Sequence, residues 1–134
     1  MKTINSIYII DDGPIMVFGI KKILKNVVVC KTVSTYGNGK LAIDDIKFNM
    51  EKAGNVPQII FLDINMPVMD GWQFLAEFIK LPIEQKVRIN IVTSSIDSAD
   101  KEKWGFYKSR SHHTITFNNK PIKKEDIGKI TRAV

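Results

Sequence analysis

Five short runs rich in β-branched and aromatic apolar residues recur along the chain, at 7–10, 27–33, 58–62, 87–92 and 114–117. The first, third and fourth are nearly continuous apolar stretches, the pattern of strands buried on both faces of a parallel sheet. Segments with helical spacing separate the runs. The first helix follows Pro14, a residue favoured at the first helical position, and Ile15, Phe18, Ile23 and Leu24 are read as its core side. A second runs from the Gly37-Asn38-Gly39 turn to Gly54, with Leu41, Ile43, Ile46, Met50 and Ala53 on its apolar side. A third opens at Asp70, which can cap it while Gln73 reaches back, and continues through Trp72, Leu75, Phe78 and Ile79. The fourth spans about 97 to 109 and carries Trp104 and Tyr107, at least one of them directed to the core. The fifth begins after Pro121, at Lys123, and continues through Ile127 and Ile130.

Five alternations of strand and helix predict an α/β fold, a doubly wound five-stranded parallel sheet with helices on both faces. No repeat, linker or low-complexity tract divides the chain, so residues 1–134 read as one domain. Sheets of this kind bind ligands outside the carboxyl ends of their strands. The polar residues at those ends form a compact set. Asp11 and Asp12 end the first run, Asp63 the third, Thr93 and Ser94 the fourth, and Asn118, Asn119 and Lys120 the fifth.

Composition narrows the classes. With 44% hydrophobic and 25% charged residues the 134-residue chain is ordinary for a soluble globular domain. The single cysteine, Cys30, cannot form an internal disulfide and reads as a buried small hydrophobe. No apolar run approaches the roughly 18 residues of a membrane span, and the N-terminus enters a strand-like segment without a signal peptide, so the expected location is cytoplasmic. The net charge of +6 is unevenly placed: residues 1–100 hold 11 Lys or Arg against 11 acids, and residues 101–134 hold 9 against 3. That basic end suits a solvated face or an acidic partner; no nucleic-acid motif accompanies it.

Three carboxylates brought into one crevice raise one another's pKa unless a cation neutralises them. Mg²⁺ suits such a site, because it takes one or two carboxylates together with waters and phosphate oxygens. Lys120 adds a point positive charge and Thr93 a hydroxyl, which completes a phosphoryl site in which a carboxylate can itself be the nucleophile. A single Asp at a strand end is usually a cap or turn residue. Five suitable residues at the ends of four strands are not explained that way.

The strings Ile7-Tyr8-Ile9-Ile10-Asp11-Asp12, Leu62-Asp63-Ile64-Asn65-Met66-Pro67-Val68-Met69-Asp70-Gly71, Ile91-Val92-Thr93-Ser94 and Phe117-Asn118-Asn119-Lys120-Pro121 resemble the response regulator receiver domain of two-component signalling, over essentially the whole chain. The resemblance implies a stand-alone receiver with the flavodoxin-like strand order 2-1-3-4-5. It implies that Asp63 is the phosphoacceptor and that Asp12 and Asp63 ligate Mg²⁺ directly. Asp11 would act mainly through water and Asn65 through its backbone carbonyl. Thr93 and Lys120 would contact the phosphoryl oxygens, and the Lys120-Pro121 bond would be cis. Thr93 and Phe117 would form the switch; Phe117 stands where many members carry Tyr, so it can fill space but offers no hydroxyl. Asn65 and Ser95 would influence the lifetime of the phosphorylated state. The implied donor is a sensor histidine kinase or histidine phosphotransfer protein, with an unidentified downstream target and a possible homodimer on phosphorylation. The family also uses part of the first helix to dock phosphodonors. Several more residues than usual separate Thr93 from Lys120, around 109–113.

Two other readings stand beside this one. A haloacid-dehalogenase-like hydrolase uses similar aspartyl-phosphate chemistry, but it needs Asp-x-Asp at the first strand, whereas Asp63-Ile64-Asn65 lies at the third. A binding module that is never phosphorylated would use the basic end alone. Gly37-Asn38-Gly39-Lys40 lacks the spacing of a phosphate loop and reads as a turn and helix start. His112 and His113 are adjacent, so in extended chain they point to opposite faces and chelate poorly.

Overall fold

The computed structural model describes residues 2–52, 54, 56–94 and 97–134. Ala53 and Ser95, each assigned a place above, lie outside the described residues. The elements alternate as β1 (Thr3–Ile10), α1 (Pro14–Val27), β2 (Val29–Tyr36), α2 (Gly39–Glu51), β3 (Ile59–Leu62), α3 (Gly71–Phe78), β4 (Arg88–Thr93), α4 (Ser98–Ser109), β5 (Thr114–Asn119) and α5 (Lys124–Arg132). All strand pairings are parallel, in the order β2-β1-β3-β4-β5. This is the doubly wound, flavodoxin-like sheet expected from the alternation.

Parallel strands covered on both faces alternate their side chains between two cores. Tyr8, Ile10, Ile60, Leu62, Ile89 and Ile91 face α2 and α3, where they pack with Ile43, Ile46, Phe74 and Phe78. Ile7, Ile9, Phe61 and Val92 face α1 and α5, where they meet Ile20, Leu24, Ile127 and Ile130. Phe74 and Phe78 are wholly buried, each contributing about 1.5–3 kcal/mol. A second tie is polar: on the α2 side Asp45 accepts hydrogen bonds from the hydroxyls of Tyr8 (2.8 Å) and Tyr36, joining α2 to β1 and β2.

Helix starts follow the sequence signals. Asn38 caps α2 by accepting from the Leu41 N–H at 3.0 Å. Asp70 and Gln73 form the reciprocal capping box of α3, at 2.8 and 2.9 Å. The Gly39 N–H donates to the Met69 carbonyl at 2.9 Å, docking the start of α2 against the loop that leads into α3.

Several expectations are corrected. Ile15 and Phe18 are not core residues; they are 87% and 67% exposed. α1 is rotated so that Met16, Val17, Ile20, Ile23, Leu24 and Val27 face the sheet. The helix carries two overlapping apolar stripes, and only packing against the sheet chooses between them. Leu41 likewise points outward at 55% exposure while Ala42 takes the buried position. Val27 and Val28 end α1 rather than begin β2, and the Val28 N–H closes the helix on the Leu24 carbonyl at 3.1 Å. Cys30 is half-buried because β2 is an edge strand. α4 contributes no fully buried residue, and Trp104 and Tyr107 are both half-buried against the α3-side core.

Candidate phosphoryl-acceptor site

Parallel strands deliver their C-terminal ends to one edge of the sheet, and the polar residues predicted there meet. One carboxylate oxygen from each of Asp11, Asp12 and Asp63 lies within 4.8 Å of the other two. Asp11 and Asp63 are buried and Asp12 is exposed, so the cluster opens to solvent on one side. Backbone ties hold the two buried residues: the Asp63 N–H donates to the Ile10 carbonyl at 2.8 Å, and the Asp11 N–H to the Tyr36 carbonyl at 3.0 Å. Asp11 Oδ1 accepts the Gly13 N–H at 2.8 Å, which shapes the turn into α1.

Lys120 crosses from the end of β5. Its Nζ lies 3.2 Å from Asp11 Oδ2 and 3.4 Å from Asp63 Oδ1. Its backbone N–H donates to the Thr93 carbonyl at 2.8 Å, so the ends of β4 and β5 are fastened beside the carboxylates. The Lys120-Pro121 peptide is cis. Thr93 is buried at the end of β4, Asn65 is exposed in the loop after β3, and Ser94 is exposed.

The electrostatics follow from this crowding. Burial pushes the Asp63 carboxyl above its ordinary range; the Asp11 charge adds to the rise, and Lys120 and the Asn65 backbone N–H pull it back. Burial works to lower Lys120, but the charges of Asp11 and Asp63 outweigh it and hold the ammonium above its usual range. The site therefore keeps a fixed positive charge beside an excess of carboxylate. Three oxygen donors of net negative charge opening to solvent fit a hard divalent cation such as Mg²⁺.

Two glycines allow the geometry. A Cβ on Gly71 would collide with the Asp63 carbonyl oxygen and come within 2.9 Å of Ile64 Cα. The Gly71 N–H donates to the Ile64 carbonyl at 2.9 Å, so α3 starts directly against the backbone of Asp63. A Cβ on Gly39 would meet Met69 and Phe74 atoms at 3.0 Å. Val68, in the same loop, has φ of 67° and is 80% exposed. Beside the cluster lies an open cleft of about 380 Å³ whose lining includes Asp11, Asp12, Phe18, Lys21 and Tyr36.

Phe117 is half-buried and edge-on to two indoles, with ring centroids 6.3 Å from Trp72 and 5.7 Å from Trp104. The Trp72 Nε1–H donates to Asp100 Oδ1 at 3.2 Å and the Trp104 Nε1–H to the Ile115 carbonyl at 2.9 Å, which fixes both rings. His113 is buried and His112 exposed, but the two do not point to opposite faces as expected: they lie in a bend before β5 rather than in extended chain, and their ring centroids are 4.0 Å apart. The close approach at Gly71 and the polar contacts of Asn90, Thr116 and Asn118 lie outside what the sequence pattern predicts. The first is hinted at by Asp70-Gly71; the second by an Asn inside an apolar run.

Comparison with known proteins agrees with this picture. The family described as the response regulator receiver domain matches residues 7–132. A protein-glutamate methylesterase/protein-glutamine glutaminase of Desulfitobacterium hafniense (strain Y51) is 32% identical over 75 residues, which are 56% of this chain and 18% of that protein's length. A two-component response regulator from Cytophaga hutchinsonii has a similar structure, with a TM-score of 0.79 at 24% identity over 98% of this chain and 97% of that one. A CheY-like receiver domain from Methylobacillus flagellatus gives 0.71 at 15% identity over 97% and 98%.

Proposed function

The chain belongs to the response regulator receiver domain family, and from that premise we propose that it takes a phosphoryl group onto the Asp63 carboxylate. The donor is a phosphohistidine on a sensor histidine kinase or phosphotransfer protein. The observation that carries this reading is the convergence of Asp11, Asp12, Asp63 and the Lys120 ammonium at one edge of the sheet.

An Asp63 oxygen attacks phosphorus in line with the phosphorus–nitrogen bond of the donor. That bond breaks and the imidazole leaves with its electron pair, giving an aspartyl phosphate. Catalysis of such a transfer is mostly positioning and charge neutralisation. The Asp63 backbone, fastened to Ile10 and packed under Gly71, holds the nucleophile still. Lys120, already between Asp11 and Asp63, meets the charge that develops on the phosphoryl oxygens. The cleft lined by Asp12, Phe18 and Lys21 leaves room for the incoming group. Asp11, Asp12, Asp63 and the Asn65 backbone carbonyl would hold Mg²⁺, whose chemistry is to neutralise phosphate oxygens. The Thr93 hydroxyl turns toward the new phosphoryl group and Phe117 moves inward from between Trp72 and Trp104, which changes the surface offered to a downstream protein. Hydrolysis of the acyl phosphate resets the chain, so it is a signalling acceptor with self-limiting chemistry rather than an enzyme acting on other substrates.

Incubation with acetyl phosphate and Mg²⁺ is expected to add one phosphoryl group by intact mass, and Asp63→Asn to abolish the gain. A mass gain that survives in the variant would move the acceptor elsewhere.

A further inference from the structure

On the α5 side of the sheet the aliphatic core stops short of β5. The buried cluster there includes Val92 and Phe61 but no residue of β5, whose side chains on that face are Thr114, Thr116 and Asn118, all half-buried. In their midst Asn90, in the middle of β4, is completely buried. A buried amide is costly unless its hydrogen bonds are made. Here they are made across three strands. Asn90 Nδ2 donates to the Ile60 carbonyl of β3 at 3.2 Å and to the Arg88 carbonyl at 3.3 Å. Its Oδ1 accepts from the Thr116 hydroxyl of β5 at 2.9 Å. That hydroxyl in turn accepts from Asn118 Nδ2 at 3.0 Å, and Asn118 Nδ2 also reaches the Ile91 carbonyl at 3.1 Å.

The ladder runs toward the site. It ends at Asn118, two residues before Lys120, and at Ile91, two residues before Thr93. Among the described residues β5 is an edge strand with one neighbour, so it lacks a second backbone ladder, and it contributes no apolar side chain to the core on this face. The side-chain bonds supply what backbone pairing and packing do not. A network whose members are all bonded rigidifies its strands, and a loss at any member leaves the others unpaired.

We propose that Asn90, Thr116 and Asn118 are positioning residues for phosphoryl transfer. They hold the end of β5 against β4 so that Lys120 Nζ stays between Asp11 and Asp63. The inference rests on the acceptor reading above and adds that the ladder acts on the rate through Lys120. A ladder that only stabilised the strand pair would lower melting temperature without a rate effect that depends on Lys120.

The test is a double-mutant cycle on the full chain, with acetyl phosphate and Mg²⁺ as probe and initial phosphorylation rate as readout. Thr116→Val keeps the shape and removes the hydroxyl. It is expected to slow uptake by about fivefold or more, since small misplacements at such sites cost up to about a hundredfold. Thr116→Ser should restore the rate to within about twofold, and Thr116→Val added to Lys120→Ala should change the rate by less than about twofold. An equal loss with and without Lys120, or no loss at all in Thr116→Val, overturns the ladder's role. Should Thr116→Val not fold, Asn118→Ala, which leaves the Asn90–Thr116 bond in place, takes its position in the cycle. Where the Lys120→Ala rate falls below detection, amide exchange at Lys120 decides: faster exchange in Thr116→Val supports the proposal and unchanged exchange overturns it. A parent chain that takes up no phosphoryl group fails the acceptor reading itself, and the ladder's role falls with it; a normal parent beside an unaffected Thr116→Val removes the ladder alone.

Discussion

Gly71 sits where any side chain would strike the backbone of Asp63, so its lack of a Cβ fixes how closely α3 approaches Asp63, the proposed acceptor. Gly71→Ala must push Asp63 and Ile64 aside. Overpacking of this kind costs about 1–3 kcal/mol, and the displaced backbone should also slow phosphorylation. Urea unfolding and uptake from acetyl phosphate, measured on the same sample, check both parts; a variant with parental stability and rate would show that the contact is slack. Val68, in the same loop, presents the opposite case. Its φ of 67° lies in the left-handed region, where a β-branched residue is strained by roughly 1–2 kcal/mol. Glycine removes that strain but loses about 0.5–1 kcal/mol to its more flexible unfolded chain. Val68→Gly should therefore be neutral to stabilising, by up to about 1.5 kcal/mol in urea titration.

At the start of β5 the buried ring of His113 joins two strands. Its Nδ1 accepts the Val87 N–H at 2.9 Å, and its ring packs on Phe78 with centroids 5.1 Å apart. Burial, with a smaller push from His112, lowers its pKa to about 4. Protonation would also convert the accepting nitrogen to a donor facing another donor. The unfolded chain takes up this proton near pH 6.5 and the fold resists it down to about 4, so the unfolded state binds more protons between those values. Stability should be intact above pH 6.5, decline as pH falls toward 4 and lose no more from this group below that. His113→Leu is expected to cost about 1–3 kcal/mol at neutral pH through the orphaned Val87 N–H, and its melting temperature should fall less steeply from pH 7 to pH 5. The element level also shows what could be read in advance. The meeting of Asp11, Asp63, Thr93 and Lys120 at one edge was legible, because parallel strands send their C-terminal ends to one side, where the first three directly follow apolar runs and Lys120 lies three residues past the fifth. The face of α1 was not, since Ile15 and Phe18 repeat at helical spacing as well as Ile20 and Leu24 do. Asn90, Thr116 and Asn118 were visible singly, but their meeting depends on the register of β4 against β5, which no local pattern encodes.

Taken as a whole, the molecule builds a rigid two-faced core and spends part of its stability on one edge. Asp63 is buried beside Asp11, with a single ammonium shared between them. Burial and the Asp11 charge raise the Asp63 pKa, so the ionised carboxylate is worse accommodated in the fold than in the unfolded chain. Asp63→Asn removes the charge, keeps nearly the same shape and leaves Lys120 paired with Asp11. It should therefore melt higher than the parent when divalent cations are chelated, with a gain of about 0.5–2 kcal/mol, the increment typical of one relieving substitution. Added Mg²⁺ should narrow the gap, because a ligand that binds only the folded state stabilises by RT ln(1 + [L]/Kd), and the parent offers it one more carboxylate. Calorimetric scans of both proteins, with chelator and with millimolar Mg²⁺, measure the two effects together. A variant that melts below the parent in chelator would mean that the Lys120–Asp63 pair outweighs burial and the Asp11 charge, and that the edge is a stabilising ion-pair network rather than a strained receiving site.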